Sequence, residues 1–336
     1  MSNDIERLKA FHHIESFLDE ETNLLLKKKL NLENSNLENR LPGLKVEDEF
    51  ALILHFFNNC KHIISIDETT SILTDESYQS DFIIHFKDGK KIMVEVKSSK
   101  DNKFKISQKN LEKRRTFADD LGYELYFALR LKGYWMLFHN DYLIENNYKI
   151  ETQKDMNNST FLTMFDAVIY IIPKDVKVES KYSLEQSKSR GLGIRHGEYG
   201  ELISIKLFYQ DTLIFEVSAE NKEHLPECLL FELWYDMLLD NIVFEKLDEL
   251  TVKSINKTTD ELMTLDFKYF LSSINHMFNV YDKRHESSSF LKLLASNVDV
   301  SLNKERLEIL FSRLIELGIP ITSGKFISND TIKFNI

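Results

Sequence analysis

Residues 81–97 read DFIIHFKDGKKIMVEVK, and this pattern predicts two short strands joined by a tight turn. The Asp-Gly pair at 88–89 is typical of hairpin turns. Side chains alternate between the two faces of a strand, so Glu95 and Lys97 share one face and lie about 6.5 Å apart along it. Because the turn folds the chain back, Asp81 at the start of the first strand is expected near them. The stretch therefore predicts two carboxylates and one ammonium at one place.

This set of side chains suits phosphodiester hydrolysis. Mg²⁺ binds through one or two carboxylates and keeps waters and substrate oxygens, so Asp81 and Glu95 are candidate ligands, with Mn²⁺ as the alternative ion. A metal-bound water is a stronger nucleophile, and an adjacent ammonium such as Lys97 can orient it or stabilise charge on the phosphate. Glu-x-Lys alone is more simply a solvated strand face with a weak ion pair. The surrounding sequence decides between these interpretations.

Helices and further strands are predicted on both sides of the hairpin. From Gly43 onward, apolar residues recur at helical spacing, and Glu47 and Glu49 flank this apolar stripe, so either can face the site. The segments after Lys97 are predicted as one helix and two strands, at 106–121, 123–130 and 134–138. The predicted order is one helix, three strands, a second helix and two more strands.

With these elements in place, the sequence resembles the PD-(D/E)XK nucleases, and within them the core of the archaeal Holliday junction resolvases. Members of this family open a helix with Gly-x-x-x-Glu, then present an Asp at the start of one strand and Glu-x-Lys in the next. The matching residues here are Gly43, Glu47, Asp81, Glu95 and Lys97. Ser80 departs from the family pattern, which has Pro before the Asp, but this change removes no ligand. The resemblance covers about residues 43–138.

The resemblance implies an α/β fold with a restriction-endonuclease-like core, in which a central mixed sheet is flanked by helices. It implies catalytic roles for Asp81, Glu95 and Lys97, and it favours Glu47 over Glu49 as the carboxylate that holds a second metal or its water. Gln108 opens the second helix, where related nucleases often carry a Gln. We expect Gln108 to orient a scissile phosphate or a metal-bound water, with a solvated amide as the alternative.

The charge distribution indicates where nucleic acid would bind. The formal net charge is −11, which argues against binding over the whole surface. Residues 97–115, however, contain eight basic and two acidic residues, so this segment is +6. The side chains expected to contact phosphates remote from the reaction are Lys100, Lys103, Lys105, Lys109, Lys113 and Arg114. A solvated helix face is the simpler interpretation of any single lysine. DNA is the expected substrate, with RNA as the alternative.

Three regions are predicted along the chain. Residues 1–40 form a helical segment for packing or dimerisation, and residues 41–150 form the nuclease core. Residues 160–336 form an α+β domain, mixed but mainly helical, that binds substrate, a partner protein or a second copy of the chain. Its basic, glycine-rich stretch 187–200 is expected to be a mobile loop. Its last ninety residues suggest either a winged helix or a helical packing domain.

The cysteines and the apolar runs indicate the cellular compartment in which the protein is expected. Cys60 and Cys228 lie far apart in apolar surroundings without metal spacing, so both are expected to be buried free thiols in a reducing compartment. No apolar run approaches the roughly 18 residues of a membrane span, and the first residues do not resemble a signal peptide. The sequence predicts a cytoplasmic protein without membrane contact.

Two classes of function therefore stay open. The first is a Mg²⁺-dependent DNA endonuclease of restriction, transposition-associated or antiphage type. A dedicated junction resolvase fits less well, because resolvases of this type are small and lack a long C-terminal extension. The second is a noncatalytic subunit that keeps the nuclease fold for nucleic-acid binding or assembly. The choice of biological setting rests on analogy of fold.

Overall fold

The structure is a computed structural model. It describes residues 18–30, 41–66, 79–185, 198–227, 242–276, 303–328 and 331–335, with residues 7, 10, 11, 14, 32, 192, 195 and 196. Two compact units divide the chain, one formed mainly by residues up to Ala167 and the other mainly by residues from Val168 onward. This division falls after the interval 150–160 that the sequence suggested. Ser159 and Thr160 account for part of the difference, because both form hydrogen bonds with Leu137 of the first unit.

The first unit alternates helices and strands, as its sequence predicts. Its helices are α1 (Glu20–Lys29), α2 (Leu41–Phe57), α3 (Gln108–Asp120), α4 (Asn140–Glu145), α5 (Thr152–Asp155) and α6 (Phe161–Met164), with a 3₁₀ helix at Met156–Asn158. Its strands are β1 (Cys60–Ser65), β2 (Phe82–Phe86), β3 (Lys91–Ser99), β4 (Lys103–Lys105), β5 (Glu124–Leu131), β6 (Tyr134–His139) and β7 (Lys149–Glu151).

Five of these strands form the central sheet, in the order β1-β2-β3-β5-β6. Strands β3 and β5 run parallel and are joined through α3, whereas the other neighbouring pairs are antiparallel. The sheet is therefore mixed, and β3 lies at its centre. This arrangement confirms the predicted α/β core with a mixed sheet between helices.

The β2–β3 hairpin brings Asp81 opposite Glu95. Phe82 pairs with Val94, and the backbone N–H of Phe86 donates to the carbonyl of Lys90 at 2.8 Å. Three residues, 87–89, lie between the hydrogen-bonded residues Phe86 and Lys90, and the last of the three, Gly89, has a φ of 94°. A left-handed glycine at the end of a three-residue loop is a common hairpin geometry, so the turn that the Asp-Gly pair predicted is present.

The two faces of the sheet pack against different helices. Helix α3 joins the cluster that contains Met93 and Phe127, and its residue Leu111 is completely buried there. Helix α2 packs on the other face, where the Phe50 ring lies 5.3 Å from the ring of Trp135. Because Met93 and Glu95 are two residues apart on β3, the Glu95 side chain points toward the α3 face.

A separate two-stranded ribbon lies beside this core. Strands β4 and β7 pair antiparallel, with Lys105 opposite Lys149 and Lys103 opposite Glu151. Both Lys105 and Lys149 are exposed. The ribbon leads directly into α3, since only residues 106 and 107 separate β4 from that helix.

The second unit consists mostly of strands in the part of the chain that is described. Its helices are α7 (Asp266–His276) and α8 (Lys304–Glu316). The strands of this region are β8 (Val168–Ile172), β9 (Val176–Ser183), β10 (Arg195–His196), β11 (Gly200–Tyr209), β12 (Thr212–Ser218), β13 (Ile242–Lys246), β14 (Thr251–Lys257), β15 (Leu262–Leu265), β16 (Thr322–Ser328) and β17 (Thr331–Asn335). One sheet has the order β10-β11-β9-β14-β13, with β12 beside β11, and the other has the order β15-β8-β16-β17.

The expectation of a mainly helical C-terminal domain is therefore wrong for the described residues. Strand β9 alternates buried and half-buried side chains as far as Tyr182, but two of its buried residues are Ser180 and Ser183, which weakens the apolar signal of a strand. The winged helix, one of the two alternatives for the last ninety residues, is not formed by the described residues, because β16 pairs with β8 in a four-stranded sheet instead of forming a separate wing. Strands β11 and β12 form an antiparallel hairpin.

Several sequence predictions fall on residues that are not described. They are Cys228, most of the 187–200 loop, most of the segment 1–40 and part of the last ninety residues. Cys60 is a free, half-buried thiol, and burial raises its pKa to about 12. Among the helices in the described ranges, none is both long and apolar enough to cross a bilayer.

Candidate functional site

Asp81 is fixed in place by the neighbouring strand. The backbone N–H of Val96 donates to Asp81 Oδ2 at 2.6 Å, and the backbone carbonyl of Asp81 accepts from Ile66 at 2.9 Å. Asp81 is only 6% exposed. Asp81 is thus not an exposed carboxylate at a strand end, since β1 and β3 enclose it from both sides. Its position is set by the sheet before any ligand binds.

Glu95 lies at the centre of the site and is completely buried. Its Oε1 atom is 2.6 Å from Lys97 Nζ and 2.7 Å from Arg114 Nη2. A buried carboxylate is costly unless opposite charges compensate for its lost hydration, and here two cations share one oxygen. The site therefore contains a second cation, supplied by α3, besides the lysine of the Glu-x-Lys motif.

Lys97 joins the two carboxylates. Its ammonium is 2.6 Å from Glu95 Oε1 and 3.8 Å from Asp81 Oδ2. Burial alone would lower the pKa of Lys97, but the charges of Asp81 and Glu95 outweigh this effect and raise the pKa above its usual value. Lys97 is thus a firmly protonated ammonium between the two candidate metal ligands.

The second oxygen of Glu95 differs from the first. Both oxygens are buried without a hydrogen-bond partner in the described part of the chain, but the ion pairs with Lys97 and Arg114 are made by Oε1, and none is found there for Oε2. An anionic oxygen without a donor carries a desolvation cost that a bound cation would remove. Carboxylate oxygens are the ligands that hard divalent ions prefer, so Glu95 together with Asp81 fits such an ion.

Glu47, the third expected metal ligand, does not form a metal-binding group with Asp81 and Glu95. No group of three or more histidine, cysteine or acidic side chains in a metal-binding arrangement occurs among the residues that the structure describes. Glu47 is half-buried on α2, and its role stays a prediction. Glu49 accepts from Trp135 Nε1 at 2.9 Å and lies 3.0 Å from Arg130 Nε. These contacts give Glu49 a structural role that ties α2 to β5 and β6.

Gln108 lies at the first turn of α3 and is exposed. Its Nε2 donates to Glu112 Oε1 at 2.6 Å, one turn further along the same helix. The neighbouring Ser107 caps the helix by accepting from the backbone N–H of Asn110. This contact matches the alternative of a solvated amide, and a role for Gln108 toward phosphate stays a prediction.

The predicted phosphate contacts divide into two groups. Lys100, Lys103, Lys105 and Lys109 are exposed, and Lys113 is half-buried. Lys103 lies 3.6 Å from Glu151, so part of its charge is already balanced. Arg114 does not lie with the exposed lysines. Its side chain is 11% exposed and faces Glu95, because it falls between Leu111 and Ala118 on the buried stripe of α3.

Arg114 was assigned to the surface from the sequence, and Lys149 was not identified as a candidate. The inward position of Arg114 was visible as an i−3 and i+4 relation to apolar residues, but the surrounding run of basic residues obscured it. Lys149 gave no local signal. It is identified by the strand register, which sets it opposite Lys105. Two like charges directly across a strand pair destabilise the pair, and a bound anion would relieve that repulsion.

The mixed sheet and the order of its elements agree with the resemblance to the PD-(D/E)XK nucleases. The family model described as archaeal Holliday junction resolvase (Hjc) matches residues 69–181, about a third of the chain. The resemblance that the motifs indicated is thereby confirmed for this part of the protein.

The comparison with solved structures found a match to one protein of that description. The Holliday junction resolvase Hjc of the archaeal hyperthermophile Archaeoglobus fulgidus is 23% identical in sequence, with a TM-score of 0.26. The alignment covers 31% of this chain and 85% of that protein. The comparison with curated proteins gave no match.

Proposed function

We propose that the chain is a divalent-metal-dependent endonuclease that hydrolyses phosphodiester bonds of DNA. The observation that carries this proposal is the convergence of two buried carboxylates on one ammonium, since Lys97 Nζ lies within 4 Å of both Asp81 and Glu95. The match of residues 69–181 to a Holliday junction resolvase family supports nuclease chemistry on DNA.

Each side chain has a distinct task in this proposal. Asp81 and Glu95 hold Mg²⁺, or Mn²⁺ as the alternative, which supplies positive charge for the phosphate and makes bound water more acidic. Val96 keeps the Asp81 carboxylate in its binding position through the backbone hydrogen bond. Lys97 remains protonated and stabilises the charge that builds on the phosphate in the transition state. Glu47 is proposed to assist from α2.

The exposed lysines extend the site into a binding surface. Lys103 and Lys105 lie on the β4–β7 ribbon, Lys109 lies on α3, and Lys149 adds a charge from β7. Lysines that neutralise backbone phosphates give affinity without sequence preference. The DNA path is therefore proposed to run along this ribbon and the start of α3. A restriction or antiphage setting in the cytoplasm fits the length of the chain better than dedicated junction resolution does.

A noncatalytic, nucleic-acid-binding role is the second candidate. The observation in its favour is that Lys97 and Arg114 already balance the charge of Glu95 without a metal. The two candidates differ in one measurable respect, because only the first predicts cleavage that needs both a divalent ion and Lys97.

A cleavage panel tests the proposal. Supercoiled, linear, single-stranded and four-way junction DNA, with RNA beside them, are incubated with the protein and Mg²⁺. The panel is repeated with Lys97→Ala and with Lys91→Ala, which removes the same charge from the exposed start of β3. We expect the parent and Lys91→Ala to cut DNA, and Lys97→Ala to bind without cutting. Equal cutting by Lys97→Ala and the parent would exclude this site, and binding without cutting by the parent would favour the noncatalytic role.

A further inference from the structure

Besides Lys97, Arg114 is a residue of the basic segment 97–115 whose charge points into the site in the described contacts. Its guanidinium is 2.7 Å from Glu95 Oε1, and the side chain is 11% exposed. The next residue, Arg115, is exposed and pairs with Asp119 at 3.6 Å and Asp141 at 3.8 Å. Two adjacent arginines on α3 therefore carry the same charge in different surroundings.

The charges in the site are balanced when Arg114 is included. Asp81 and Glu95 contribute two negative charges, and Lys97 and Arg114 contribute two positive charges within ion-pair distance of them. A divalent cation at Glu95 Oε2 would enter a neutral set instead of an acidic one. It would also lie on the same carboxyl group as the guanidinium, where repulsion between cations is only weakly screened.

A phosphate group changes this balance. Each backbone phosphate brings one negative charge, and a guanidinium offers paired donors that match phosphate oxygens. A phosphate that arrives at the site would offset the surplus positive charge created by the metal. Binding of the metal and binding of nucleic acid would then favour each other, because each reduces the repulsion that opposes the other.

We propose that Arg114 is an internal counter-ion of Glu95 that makes divalent-metal loading depend on the phosphate of the substrate. Arg114 weakens metal binding in the free protein, and nucleic acid restores it. This inference rests on the proposed function, since it takes Asp81 and Glu95 as the metal ligands. It gives Arg114 a role distinct from the remote phosphate contacts made by the exposed lysines.

Calcium binding by the full-length protein tests the inference without relying on cleavage. Ca²⁺ is titrated calorimetrically into the parent, Arg114→Gln, Arg115→Gln and Glu95→Gln, each checked by thermal melting. We expect Arg114→Gln to bind Ca²⁺ about tenfold tighter or more, because a unit charge next to the ion is removed. Arg115→Gln is the matched control and should stay within about twofold of the parent, as expected for an exposed charge. In the parent, a short DNA duplex should tighten Ca²⁺ binding about tenfold, within the usual range of coupling between sites.

The outcomes separate the inference from the proposed function. Unchanged or weaker Ca²⁺ binding by Arg114→Gln, or no effect of DNA on Ca²⁺ binding by the parent, overturns the role of Arg114. If Glu95→Gln has meanwhile lost Ca²⁺ binding, the metal site itself stands. Calcium binding by Glu95→Gln equal to that of the parent overturns the metal site and the inference with it. Arg114→Lys keeps the charge and should keep the weak affinity, so tighter binding by this variant also contradicts the inference, even if Arg114→Gln does not fold.

Discussion

The backbone N–H of Val96 donates to Asp81 Oδ2 at 2.6 Å, one residue beyond Glu95 on the same strand. The hydrogen bond joins one candidate ligand to the strand that carries the other. Any change that separates β2 from β3 would therefore separate the two carboxylates. The stability of the hairpin and the geometry of the site depend on the same contact.

We expect Asp81→Ala and Asp81→Asn to differ in stability but not in activity. Asp81→Ala leaves the buried Val96 N–H without an acceptor and should lower the free energy of unfolding by about 1.5–3 kcal/mol. Asp81→Asn keeps an amide oxygen for this hydrogen bond and should lose less. Both variants should lose Mg²⁺-dependent cleavage and the stabilisation by Mg²⁺ that thermal melting measures. Equal stabilisation of parent and variants by Mg²⁺ would exclude Asp81 as a ligand.

Glu49 and Glu47 should respond to substitution in opposite ways. Glu49→Ala leaves Arg130 and Trp135 without their shared partner. It should cost about 2–3 kcal/mol of unfolding free energy, less than the roughly 3–5 kcal/mol of a fully buried pair, because Arg130 is partly exposed. Glu47→Gln should change stability by less than about 0.5 kcal/mol and reduce cleavage. Urea unfolding and cleavage rates measure the two effects. Full activity in Glu47→Gln, with Glu49→Gln inactive, would reverse the two roles.

The exposed lysines should control affinity through the salt dependence of binding. Replacing Lys103, Lys105, Lys109 and Lys113 together should weaken DNA binding and reduce the slope of log affinity against log salt by roughly one unit per lost contact. Lys149→Ala should reduce this slope further if the β4–β7 ribbon contacts phosphate. Titrations in Ca²⁺ from low to moderate salt measure the slope, and Lys61→Ala on β1 serves as the control. An unchanged slope would mean that DNA binds another face.

Asp266 gives the second unit an unusual dependence on pH. This completely buried carboxylate accepts from the backbone N–H groups of Val168 at 3.0 Å and Phe267 at 2.7 Å. Burial raises the pKa of Asp266 to about 7, despite the opposing effect of these hydrogen bonds. The folded state therefore holds a proton that the unfolded state, with a pKa near 4, has released.

The direction in which stability changes with pH follows from this difference between the folded-state and unfolded-state pKa of Asp266. Stability should fall as pH rises from about 4 to 7, by up to about 4 kcal/mol from this group, and should change little from it above pH 7. Urea unfolding of the parent and Asp266→Asn across this range isolates the contribution of Asp266. The free energy of unfolding should fall less with pH in Asp266→Asn. Parallel curves for the two proteins would show that Asp266 keeps an ordinary pKa.

Local patterns in the sequence were sufficient to predict the hairpin and the partnership of Glu95 with Lys97. Strand alternation sets two residues on one face, and an Asp-Gly turn fixes how the strands fold back. Both signals extend over fewer than about twenty residues. The confirmed parts of the fold are therefore those that depend on short-range periodicity.

The parts that sequence did not predict depend on distant contacts. Glu49 meets Trp135 across 86 positions of the chain, and Lys149 faces Lys105 only once β4 and β7 have paired. Serine side chains at inward positions of β9 reduced the apolar contrast on which a strand prediction relies. Arg114 was assigned to the surface because charged residues are rarely buried without a partner, and that partner, Glu95, lies on another element.

The contact of Lys97 with two carboxylates also has a consequence for covalent labelling. Acylating reagents react with the neutral amine, and the raised pKa of Lys97 keeps its neutral fraction small. Lys97 should therefore acylate more slowly than the exposed Lys100, three residues away. Replacing either carboxylate, or binding an ion to it, would change the ratio of the acylation rates of Lys97 and Lys100. Mass spectrometry of the peptide that carries both lysines would then report the state of the site in a protein that has no substrate bound.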